Sequence, residues 1–159
     1  MKKFFVYLFL ALFVAVPAFA AGTVTLSSDK IHKISQDESI RVVTFACVGD
    51  DSDGSIPDTT ISKANFSGLA RPFHGWYLYR AIIHNSTTQT DCDNNSDVYL
   101  KDSGADDYLG GQGVDQLDAD TYNKITINTV EAFYDNPILD VDNQSAVEAE
   151  YSIKFVLVK

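Results

Sequence analysis

Gly75-Trp76-Tyr77-Leu78-Tyr79-Arg80-Ala81-Ile82-Ile83-His84 is the longest run of aromatic and β-branched residues beyond the first twenty positions, and such residues favour a pleated, packed strand. Side chains alternate along a strand with a period of two. Trp76, Leu78, Arg80, Ile82 and His84 are therefore expected on one face, and Tyr77, Tyr79, Ala81 and Ile83 on the other. Both sets carry apolar bulk, which reads as an interior strand covered on two sides in a two-layer β structure.

The flanking chain repeats that logic. Ser39 to Val48 places Val43, Phe45 and Cys47 on one face and Val42, Thr44, Ala46 and Val48 on the other. Gly22 to Ser27 reads as a β-prone start, with Ile31 to Ile34 extending it or forming a second strand after a Ser28-Asp29-Lys30 turn. Ile56 to Leu69 is expected as a loop with at most one short strand through Thr59 to Ile61, or one helical turn around Ile61 to Phe66; further strands are expected at Asp97 to Lys101 and at Lys124 to Val130. Ile138 to Val141 and Ala146 to Val158 should close the chain as a hairpin across Asp142 to Ser145, with Tyr151, Ile153, Phe155 and Leu157 on one face. No stretch has an apolar period of 3.6 residues over helical length. The fold class is all-β, an antiparallel β-sandwich of about seven to nine strands with long acidic loops.

Met1 to Ala20 has Lys2 and Lys3, an uncharged apolar run from Phe4 to Val16, and Ala18-Phe19-Ala20. That order is a secretory signal peptide, cleaved after Ala20, and the apolar run is short for a membrane span. Residues 21–159 then form one domain, and losing two lysines takes the formal charge from −10 to −12. So acidic a chain, without a Lys or Arg cluster, is not a nucleic-acid binder. In an exported protein, Cys47 and Cys92 are expected to form a disulfide, with buried thiols the alternative.

The remaining candidates are carboxylates and aromatics. Asp91, Asp93, Asn95 and Asp97 alternate as in a calcium loop, with Asp102 at the twelfth position, because a hard cation collects oxygens from one flexible segment; Ser96 stands where an EF-hand has Gly, and Asp102 where it has Glu. Asp50, Asp51 and Asp53 form a second acidic group, and Asp106, Asp107, Asp115, Asp118 and Asp120 a third. Solvated turn carboxylates are the plainer reading of all three. His32, His74 and His84 match no metal or nucleophile motif, so no catalytic residue is assigned. Gly110-Gly111-Gln112-Gly113 has neither the helix nor the lysine of a phosphate loop. Trp76, Tyr77 and Tyr79, beside Phe73, either belong to the core or form a row that holds a sugar or a protein.

Ser96-Asp97-Val98-Tyr99-Leu100-Lys101-Asp102-Ser103-Gly104 and Asp107-Tyr108-Leu109-Gly110-Gly111-Gln112-Gly113 resemble small β-rich proteins encoded among tailed-phage and prophage structural genes. The resemblance implies a compact β-sandwich serving as a virion or surface component, with no catalytic residues. The signal peptide and the cysteines depart from that pattern and favour an exported relative. The expectation is a secreted, non-enzymatic surface, binding or structural protein, with a protein or carbohydrate partner or a homo-oligomer through strand edges. Calcium-assisted adhesion and a secreted hydrolase using loop carboxylates are the alternatives.

Overall fold

The computed structural model describes residues 21–62, 64–66, 71–85, 91–92, 96–117, 122–127 and 132–159, and the expected signal peptide lies outside them. Eight strands form among the described residues: β1 Thr23–Lys33, β2 Ser39–Val48, β3 Thr59–Thr60, β4 Tyr77–Asn85, β5 Asp97–Lys101, β6 Tyr122–Thr126, β7 Ile138–Asp142 and β8 Glu150–Val158. They make two antiparallel sheets, ordered β1-β2-β8-β4-β6 and β3-β7-β5, with no helix among the described residues. The β-sandwich expectation holds.

Alternation explains why the large sheet buries one face. Val43, Phe45 and Cys47 of β2 and Tyr151, Ile153, Phe155 and Leu157 of β8 are all buried. The register sets Phe45 opposite Ile153 and Val43 opposite Phe155, and β4 continues those rows with Ile83 and Ala81. The small sheet contributes Val98, Leu100, Leu139 and Val141 to the same cluster. Between the layers, Phe73 meets Phe66, Phe133 and Phe155 edge-on at centroid distances of 6.0, 5.2 and 6.4 Å. Such pairs contribute about 0.5–1.5 kcal/mol each beyond area burial.

Three local expectations need correction. Strict alternation fails in β4, where the pairing with β8 shifts register between Leu78 and Arg80. The extra residue turns both Tyr79 and Arg80 outward, so Leu78, Ala81, Ile83 and Asn85 are the buried set; a bulge re-aims every side chain beyond it. Second, of the two readings of the start, extension holds and the Ser28-Asp29-Lys30 turn does not, because β1 runs continuously along β2 with one irregularity between Leu26 and Ser28. Third, β7 and β8 are not a hairpin. β7 pairs with β3 and β5 while β8 pairs with β2 and β4, so residues 143–149 cross from one sheet to the other, with Asn143 and Glu148 at positive φ of 60° and 57°.

The least expected core residue is Arg41, on the inward face of β2 and 1% exposed. Its Nε and Nη2 donate to the two carboxylate oxygens of Asp29 at 2.8 and 2.7 Å, and Nη1 donates to the Pro72 carbonyl. The guanidinium lies 5.0 Å from the Phe66 centroid and 5.8 Å from those of Phe73 and Trp76. A buried charge is tolerable only when paired and hydrogen-bonded throughout. Arg41→Met should cost about 3 kcal/mol, since it strands a partly buried carboxylate and an unmet carbonyl. Arg41→Lys should cost nearly as much, because a lysine lacks the planar fork. Urea denaturation of the variants and of Asp29→Asn/Arg41→Met, in which the losses should be less than additive, checks this.

Candidate functional site

The large sheet has an open outward face, and the aromatic row divides across it. Trp76 is buried under Arg41 and belongs to the core, whereas Tyr77 and Tyr79 are 41% and 45% exposed. The outward positions of β4 are Tyr77, Tyr79, Arg80, Ile82 and His84, and the register sets Tyr77 beside Val158 and Ile40, and Ile82 beside Lys154 and Lys124. The Arg80 guanidinium lies 5.3 Å from the Tyr79 ring centroid, a stacking that restrains both side chains. A groove of about 340 Å³ runs among Ile34, Glu38, Ser39, Ile40, Tyr77, Val158 and Lys159. A shallower depression of about 210 Å³ is lined by Ile82, His84, Ser152 and Lys154.

The acidic loops are built differently. Asp97 is buried, accepts the Asp115 amide at 2.8 Å and takes an Asn143 amide hydrogen at 2.7 Å. Asp102 accepts from the amides of Gly104 and Asp106, while Asp91 accepts from the Asn85 side chain. Asp91, Asp97 and Asp102 thus turn toward separate partners. No group of three or more His, Cys, Asp or Glu suited to a metal forms among the described residues, and Asp93 and Asn95 lie outside them. Asp50 accepts from the Ser52 hydroxyl and from the amides of Ser52 and Asp53, and these bonds hold its carboxyl below the usual range. Asp107 accepts from the amides of Leu100, Leu109 and Gly111. That explains the Asp-x-Leu-Gly-Gly segment as a turn. Gly110 and Gly111 take positive φ, and a Cβ at Gly113 would fall 1.7 Å from the Val98 carbonyl oxygen.

The small sheet's outward face gathers Asp58, Asp140, Asp142 and Lys101. Partial desolvation, then the charge of Asp140 and a hydrogen bond shared with it, raise the Asp58 carboxyl above its ordinary value, and Lys101 offsets part of this. Lys101 is itself raised by its hydrogen bond and ion pair with Asp140.

The expected disulfide is absent. Cys47 and Cys92 are both buried and not joined. Tyr151 faces Cys47 across one ladder and Asn85 across the other, and Asn85 Oδ1 accepts the Cys92 amide at 3.4 Å. The phenol thus stands in the row between the two cysteines. Burial pushes the Cys47 thiol up to about 12, and burial with both thiols nearby raises Tyr151, whose hydroxyl has no hydrogen-bond partner among the described residues.

Sequence reasoning singled out Tyr77 and Tyr79 but missed Lys124, Lys154, Ile82 and His84 as their neighbours. The parity of Ser152-Lys154-Val156, opposite to the buried Tyr151-Ile153-Phe155 set, was the available signal. No known protein family matches the chain, and no characterised protein or solved structure is significantly similar to it.

The Asp58 carboxyl binds its proton more tightly folded than unfolded, so that contribution is present at low pH and is lost as pH rises through the raised value. Asp58→Asn should therefore raise the melting temperature at neutral pH, and the gain should vanish below the ordinary Asp range; thermal scans across pH measure it. For the thiols, iodoacetamide should label Cys47 and Cys92 only after denaturation and without prior reduction. Mass spectrometry reads the outcome, and labelling that needed a reductant would contradict the thiol assignment.

Proposed function

We propose that this protein is an exported, non-enzymatic surface component that works by binding through the outward face of its large sheet. The observation that carries the reading is the pair of exposed tyrosines, Tyr77 and Tyr79, held beside Arg80 on an open sheet face. Tyrosines present large apolar area at low entropic cost and keep a polar edge for hydrogen bonding. A rigid sheet places them without reorganisation, which lowers the cost of association.

The signal-peptide pattern of Met1 to Ala20 supports export, and the resemblance to phage and prophage structural proteins supports a role in an outer surface. A hydrolytic reading has less to work with. Asp140, beside Asp58, is held by the ion pair with Lys101, and the turn carboxylates Asp50, Asp102 and Asp107 accept backbone amides. Calcium-assisted adhesion would need Asp93 and Asn95 to draw in Asp91 and Asp97, which already hold other partners.

The test uses the full-length gene expressed in its producing cells. The recovered protein should begin at Ala21 and cosediment with the cell envelope, and Tyr77→Ala/Tyr79→Ala should release it without lowering its melting temperature. Retention of this variant, or recovery with the leader intact in the cytoplasm, would sink the proposal.

A further inference from the structure

The two outward faces carry opposite charge. Among the described residues, the large sheet's outward strand positions hold Lys30, Arg80, Lys124 and Lys154 against one carboxylate, Glu150. Yet the whole chain has 22 Asp and Glu against 12 Lys and Arg. The small sheet's outward face instead carries Asp58, Asp97, Asp140 and Asp142 around a single Lys101. In a chain of net charge −10, a solvated face chosen only for solubility would be acidic like the rest. Here the excess of cations coincides with the exposed tyrosines and with the depression beside Lys154.

We infer that the large sheet's outward face binds an acidic polysaccharide, whose sugar rings lie on Tyr77 and Tyr79 while its carboxylates meet Arg80, Lys154 and Lys124. This rests on the binding-face reading above and names the partner's chemistry. A pyranose ring offers an apolar face that packs on an aromatic side chain, and a guanidinium donates two parallel hydrogen bonds to a carboxylate. The cations lie on three neighbouring strands, β6, β4 and β8, so successive charges of a linear polymer can each find a partner. A second copy of the chain would have to bring the acidic face of its small sheet onto this one, and on that face Asp97 and Asp140 are buried and already hold partners.

The experiment titrates the processed protein with polygalacturonate, neutral dextran and double-stranded DNA. Polygalacturonate should bind at least about tenfold more tightly than dextran or DNA, and more weakly as salt rises, since exposed charges are screened. Tyr79→Ala and Lys154→Ala should each weaken binding about fivefold or more, with the melting temperature unchanged. Equal binding of dextran would overturn the inference, as would binding of polyanions that ignores Tyr79→Ala, or self-association abolished by Lys154→Glu. If polygalacturonate does not bind while Tyr77→Ala/Tyr79→Ala still frees the protein from the envelope, the polysaccharide inference fails and the binding face stands.

Discussion

A guanidinium sealed inside a β-sandwich must have every donor and its charge answered, and the chain around Arg41 is arranged by that requirement. Asp29 answers two donors from β1, the Pro72 carbonyl a third, and three aromatic faces surround the group. The far half of β1 buries little apolar surface of its own, with Ile31 57% exposed. The fork on Asp29 is what ties that half to β2 by more than its ladder. The same group anchors the segment before β4, so that Trp76 enters the core and Tyr77, the next residue, emerges from it.

That entry point decides which surface the protein presents. With Trp76 and Leu78 committed inward, the bulge at Tyr79 and Arg80 puts two successive side chains on the open face, one aromatic and one cationic. A regular strand would have sent Arg80, Ile82 and His84 into the core in place of Ala81, Ile83 and Asn85. The outward row beyond the bulge then aligns Ile82 with Lys154 and Lys124. Aromatic and basic groups from three strands are gathered without any loop taking part, so the arrangement inherits the rigidity of the sheet.

The many carboxylates obey a different rule. A short Asp side chain can accept the amide two to four residues along, and Asp50, Asp102 and Asp107 each do so. The Asp107 loop also drops Leu109 into the core, while Asp97 and Asn143 pin the following residues, through the Asp115 amide, to the corner between sheets. Calcium spacing and turn spacing look alike in a sequence because both ask for an oxygen every second residue. What separates them is where the oxygens point, and those of Asp91 and Asp97 point at the side-chain amides of Asn85 and Asn143 and at the Asp115 amide.

Strand positions were legible from residue order alone. β2 and β5 span the predicted residues, β7 and β8 lie within a residue or a few of them, and the buried set of β8 is the predicted one. Alternation of apolar side chains is a local property, and any strand covered on one side must display it. Sheet membership was not legible, because β7 would show the same alternation in either layer; nor was the β4 bulge, since one inserted residue leaves no mark in composition. The fate of Arg41, Tyr79 and Lys154 likewise depended on partners far along the chain. Pairing energy between distant strands, summed over both layers, chooses one register out of several that local pattern allows, and only the folded chain contains that sum.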